Sequence, residues 1–147
     1  MAYLKQKSMQ NWEIASVSIS RGYYNVAVSR FYYSLYEIAK GFLIEKGIWR
    51  PEHDKPHENL IAAIYEYLKK RNIPCDSDTN RTLNNYNELR RQREDADYKN
   101  DVNIDKDSFD AFGKEYIKSL MSFLCTHQII SATEKMQMEK HYDCFRA

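Results

Sequence analysis

Residues 23–46 read YYNVAVSRFYYSLYEIAKGFLIEK, and this stretch decides the fold. Val28, Phe31, Leu35, Ile38 and Phe42 recur at the spacing that puts side chains on one face of a helix. Tyr32, Ala39 and Leu43 widen that face to roughly a third or more of the circumference, which suits a helix with several neighbours. The stretch reads as the central helix of a bundle, with Gly47 as its C-terminal stop. Arg30, Tyr33 and Glu37 fall on an adjoining stripe that meets another helix or solvent.

Outward from this helix the pattern stays helical. Before it, residues from about Lys7 to Ser20 place Trp12, Ala15 and Ile19 on one face, with Ile14 and Val17 beside them. Gly22 ends that segment, since glycine takes the left-handed conformation at low cost. After it, GIWRPEHDKPH (residues 47–57) carries two prolines and reads as a loop. His53, Asp54 and His57 are metal-ligand types. Pro56 disrupts a regular helical placement, however, and no fourth ligand stands nearby, so no metal is expected. Leu60, Ile61, Ile64 and Leu68 make a short third helix, and Lys69, Lys70 and Arg71 suit the negative end of its dipole. Ser77, Asp78 and Thr79 are N-cap candidates for a fourth helix that ends near Tyr98. Asp107 or Ser108 can cap a fifth, with Phe109, Phe112, Tyr116, Leu120 and Phe123 on its core stripe, expected to run on to about Gln137. The fold class is therefore all-α, an antiparallel bundle of four to five helices. The bundle is expected over residues 1–130, with a C-terminal helical extension or tail over 131–147.

Composition narrows the function. A chain of 147 residues fits one domain of ordinary size, and 43% hydrophobic with 29% charged residues excludes a disordered chain. A net charge of +1 excludes a generic polyanion binder, so any nucleic-acid surface must come from local clustering of Lys and Arg. The N-terminal MAYLKQKSMQNW has no apolar signal-like core, and no apolar run approaches the ~20 residues of a membrane span. Cys75, Cys125 and Cys144 lie far apart without a CxxC pair, which suggests neither a disulfide framework nor a zinc site. The expectation is a cytoplasmic protein without membrane association and without a cofactor.

The candidate site is LNNYNELRRQREDADY, residues 83–98. Leu83, Tyr86, Arg90, Arg93 and Asp97 fall on one helical stripe, which begins apolar and then turns charged. Charges in line with a core stripe need partners, or they line a groove. Simple intrahelical pairing, Arg93 with Asp97 and Arg90 with Glu94, is the alternative, contributing ~0.2–0.5 kcal/mol per exposed pair. A meeting with Arg30 and Glu37 of the second helix is the functional possibility.

Gly22-Tyr23, Arg30 followed by Tyr32-Tyr33, and Arg93 followed by Ala96-Asp97-Tyr98 occur in an order and spacing that resemble the HEPN superfamily. The likeness spans roughly residues 8–125 and points to its small stand-alone bacterial and archaeal branch with an R-x-x-A-D-Y motif. It implies a helical bundle that often forms a homodimer. It also implies a place in a toxin–antitoxin or phage-defence system, acting on or binding RNA through an arginine-lined groove. Many HEPN proteins are metal-independent endoribonucleases with an Arg, four to six residues, then a His. By that likeness Arg93 would hold phosphate, Arg90 would support it, Asp97 would orient an arginine or accept a proton, and Arg91 and Arg30 would bind phosphate. The histidine is missing: Ala96 stands in its place counted from Arg91, and no histidine lies between His57 and His127. The alternative implied is a non-catalytic adaptor or regulatory subunit binding a protein or nucleotide partner. Tyr98 falls where a HEPN tyrosine can be nucleotidylated by a partner nucleotidyltransferase, which would place a phosphate beside Arg91 and Arg93.

Overall fold

Two glycines in the left-handed region frame the central helix, Gly22 at φ +75° and Gly47 at φ +72°. Both stand where the sequence places helix stops, and each lets the chain reverse without strain on a side chain. The computed structural model describes residues 2–49, 56–99 and 102–140. Helix α1 spans Ala2–Ser20, α2 Tyr24–Glu45, α3 Pro56–Lys70 and α4 Ser77–Tyr98. A single turn, α5 (Lys106–Ser108), leads through a wide π-helical turn (Phe109–Gly113) into α6 (Lys114–Thr126), and α7 covers Ala132–Lys140. No strand occurs among the described residues, and the protein is an all-α bundle.

Helix α2 is the centre of that bundle. Val28, Phe31, Leu35, Ile38 and Phe42 are all buried, as their period requires. Helix α1 lies antiparallel on one side of it, with Trp12 edge-on to Phe31 at 4.6 Å and Ser8 bonded to the Ser34 carbonyl at 2.7 Å. Helix α4 lies on another side, where the Tyr32 and Tyr86 hydroxyls meet at 3.0 Å. Phe109 of the π-helical turn is buried against Phe31. The wide turn is visible in the Lys114 N–H, which reaches back five residues to the Phe109 carbonyl.

Several boundaries differ from the sequence reading, each for a local reason. Helix α1 begins at Ala2, five residues before Lys7, and Ile14 and Val17 are half exposed rather than beside the core. The α4 N-cap is Asp76, whose carboxylate accepts from the Thr79 N–H at 2.8 Å. The cap before α5 is Asp105, bonded to the Ser108 N–H at 2.8 Å. In both runs several cap-competent residues compete, and the extended backbone of the earlier aspartate decides. The last long helix does not reach Gln137. It stops at Thr126, Gln128 turns left-handed at φ +62°, and the Ile129 N–H returns to the Leu124 carbonyl at 2.8 Å. That closure drives Ile129 and Ile130 into the core. Ser131 and Glu134 then exchange backbone and side-chain bonds at 2.9 and 3.0 Å, a capping box that starts α7. Helix α7 docks on α1, where the Trp12 indole N–H donates to the Met138 carbonyl at 2.6 Å.

Candidate functional site

The C-terminal half of α4 crosses α2 where α2 carries Ser29, Arg30, Tyr32 and Tyr33. Leu83 and Tyr86 are buried, and the same register brings Arg93 inward, leaving it only 4% exposed. Its guanidinium is enclosed by aromatic faces, 5.1 Å from the Tyr32 ring, 5.3 Å from Tyr33 and 5.8 Å from Tyr98. Glu94 at 3.6 Å and Asp97 at 3.8 Å supply the countercharge. Asp97 also accepts from the Ser29 hydroxyl at 3.1 Å, which ties the end of α4 to α2. Burial raises the Tyr32 and Tyr86 pKa values, so both phenols stay protonated around this arginine.

The other residues of the charged stretch divide between two faces. Arg90 lies 3.6 Å from Glu94, and Arg91, exposed, bonds Glu88 at 2.9 Å. Both open onto a hollow between α3 and α4 that Ile61, Asn87 and Glu94 complete. Both intrahelical pairings read from the sequence are therefore formed, and Arg91 stands apart from the stripe. His57 lies in the first turn of α3, while His53 and Asp54 fall outside the described residues. No cluster of His, Cys, Asp or Glu suited to a metal occurs among the described residues.

Arg30 comes together with residues of three helices. A groove of about 560 Å³ runs between α1, α2 and the end of α4. Lys7, Arg30 and Lys40 supply its positive charge, Tyr33, Tyr36 and Tyr98 its rings, and Glu37 and Asp97 its carboxylates. Arg30 donates to the Asn11 side-chain oxygen Oδ1 at 3.3 Å and lies 5.8 Å from the Tyr33 ring centre. Asn11 in turn donates to Glu37, and Lys7 stands 3.8 Å from the second Glu37 oxygen. Lys40 spreads over Tyr36 at 5.6 Å and Trp49 at 5.4 Å. The bundle's hollow at the opposite end of α4, about 430 Å³ beside Asp76, Thr79 and His127, has no Lys or Arg among the described residues of its wall. Lys7, Asn11, Lys40 and Tyr36 went unread in the sequence, although Arg30, Tyr33, Glu37 and Lys40 repeat at i, i+3, i+7 and i+10.

Glu37 is 4% exposed, and burial pushes its carboxyl pKa up against the pull of Lys7, Asn11, Arg30 and Lys40. The folded protein thus holds this proton more tightly than the unfolded chain. The associated stability is fully present below the ordinary carboxylate value of 4.5 and is lost as pH rises through the folded value. Glu37→Gln should remove that loss. The melting-temperature difference, variant minus wild type, is expected to grow more positive as pH rises from below 4.5 to neutrality. A difference that stays flat across that range would contradict a strained carboxyl.

Comparison with protein families matches the HEPN domain over residues 1–136. The chain belongs to the HEPN domain family. Comparison with curated proteins and with solved structures gives no match. HEPN domains commonly dimerise and often occur in toxin–antitoxin or defence RNases. The charged stripe does not itself argue for a second HEPN copy, because one bundle already encloses Arg93 with its own tyrosines. Among the described residues no helix is long and apolar enough to cross a membrane.

Proposed function

We propose that this HEPN protein binds RNA in the α1–α2–α4 groove, within a toxin–antitoxin or phage-defence system. The observation that carries this reading is the convergence of Lys7, Arg30 and Lys40 on one groove walled by Tyr33, Tyr36 and Tyr98. Cations placed among aromatic rings suit a nucleic-acid strand, since phosphates take the charge and bases take the rings. With a net charge of +1, this local clustering supplies the attraction that the whole chain lacks. In a cleaving version of the reading, Arg93, with support from Arg90, stabilises charge on the phosphoryl oxygens and Asp97 orients the arginine or takes the proton.

A specific observation favours the second reading, a non-catalytic HEPN adaptor. Among the described residues no imidazole lines the groove, and Arg93 is enclosed by rings rather than presented to it. The experiment is polarisation of a labelled 12-nucleotide single-stranded RNA at several salt concentrations, run beside incubation with total RNA with and without a chelator. Three phosphate contacts predict a slope of about −2 in log K against log salt. Binding with chelator-resistant fragments ending in 2′,3′-cyclic phosphate supports the nuclease. Binding with intact RNA supports the adaptor. No binding at low salt overturns the proposal.

A further inference from the structure

A second hollow, of about 480 Å³, adjoins the cationic groove on the other side of the α4 terminus, with Arg93, Glu94, Asp95 and Lys99 in its wall. Among the described residues Tyr33 and Tyr98 line both. They form the saddle that any ligand long enough to enter both hollows must cross. Tyr98 is 73% exposed, whereas Tyr32 and Tyr36 on the facing stretch of α2 are buried. Its position explains the exposure. It is the last residue of α4, and Lys99 leaves in an extended conformation at φ −101° and ψ 125°, so no further helical turn covers the ring. On its inner side the ring meets the Arg93 guanidinium at 5.8 Å. The guanidinium is itself held by Tyr32, Tyr33, Glu94 and Asp97, so the ring rests on a fixed support and turns its other face to solvent.

Resting on the reading of the groove as an RNA site, we infer that Tyr98 is a stacking platform for one unpaired base, and that it restricts the protein to single-stranded RNA. The base lies on the outer face of Tyr98, while its flanking phosphates reach Arg30 and Lys7 on one side and Lys99 on the other. Every base has a face to stack, so the contact tolerates sequence, and a purine gains more than a pyrimidine because its face is larger. In a duplex each base is already stacked and paired and offers no free face to the ring. A paired strand must first extrude a base, which costs energy that the single strand does not spend.

The test uses the full chain and a 12-nucleotide RNA with 2-aminopurine at one internal position, scanned along the strand, because stacking quenches this fluorophore. The wild type is expected to quench one position most strongly. Tyr98→Leu is expected to bind at least about fivefold more weakly, the lower end of what one lost base stack costs, and to lose that quench. Tyr98→Phe retains both, since the ring and not the hydroxyl carries the contact. The same sequence as a duplex is expected to bind no better than the single strand binds Tyr98→Leu. Unchanged affinity and quench in Tyr98→Leu, or duplex binding equal to single-strand binding, overturns the stacking role and leaves the RNA groove standing. Absence of binding by the wild type overturns both. Because Tyr98 is exposed, a melting temperature near that of the wild type is expected for Tyr98→Leu. A collapse of the fold in Tyr98→Leu would itself show a structural ring and overturn the inference.

Discussion

Arg93→Ala is expected to lower stability by about 2–3 kcal/mol, a fall in melting temperature of roughly 6–10 °C for a chain of this size. The residue is the arginine of the R-x-x-A-D-Y motif, yet its guanidinium fills a slot made by three tyrosine rings and is only 4% exposed. Removing it empties that slot and withdraws the countercharge from Glu94 and Asp97. Those carboxylates are 46% and 28% exposed, so water takes over part of the lost pairing, and the figure falls below the 3–5 kcal/mol typical of breaking a fully buried pair. Arg93→Lys should recover only part of the loss, because an ammonium lacks the flat, delocalised charge that lies against several rings. Arg93→Met is the informative variant. It refills the slot with an apolar chain, and stability within about 1 kcal/mol of wild type would assign the residue to packing. Thermal melting of the three variants reads all of this. A melting temperature for Arg93→Ala within 2 °C of the wild type, together with lost RNA binding, would show instead that the guanidinium leaves its cage to meet phosphate.

The periodicity of α4 put Arg93 in line with Leu83 and Tyr86 but did not settle its burial, since Arg90 and Asp97 share that stripe and stay partly exposed. Two of the three rings that enclose the guanidinium lie on α2, sixty residues earlier, and no pattern within either helix shows that Tyr32 and Tyr33 receive it. The groove is harder still to read. Lys7 and Lys40 each look like ordinary solvated lysines on their own helices, and only the antiparallel pairing of α1 with α2 brings both toward Arg30. The stop at Thr126 had no glycine to announce it, because Gln128 takes the left-handed turn instead. The restart also went unread, although Ser131 and Glu134 stand at capping-box spacing in the sequence. Helix content and core stripes are local and were readable. Which face meets which is long-range and was not.

Arg30→Gln is expected to weaken RNA binding roughly ten- to hundredfold while changing stability by no more than about 1 kcal/mol. The contrast with Arg93 follows from their surroundings. Among the described residues Arg30 donates to the Asn11 side chain at 3.3 Å, lies 5.8 Å from the Tyr33 ring and attracts Glu37, and its side chain borders the groove. Little of the fold depends on it, so its loss is felt by the ligand. A guanidinium gives phosphate two parallel donors, each charge-assisted, which glutamine cannot replace. If Arg30 neutralises one phosphate, the slope of log K against log salt should become shallower by about 0.7 in Arg30→Gln. That change separates a lost phosphate contact from a general distortion of the groove, which would lower affinity without altering the slope. Arg81→Ala serves as the control, since Arg81 is exposed near the start of α4 and pairs with Asp78 of the same helix at 3.2 Å. Equal losses in the two variants would mean that RNA responds to total charge rather than to this groove. A loss confined to Arg30, with the shallower slope, ties binding to the cleft where α1, α2 and α4 meet.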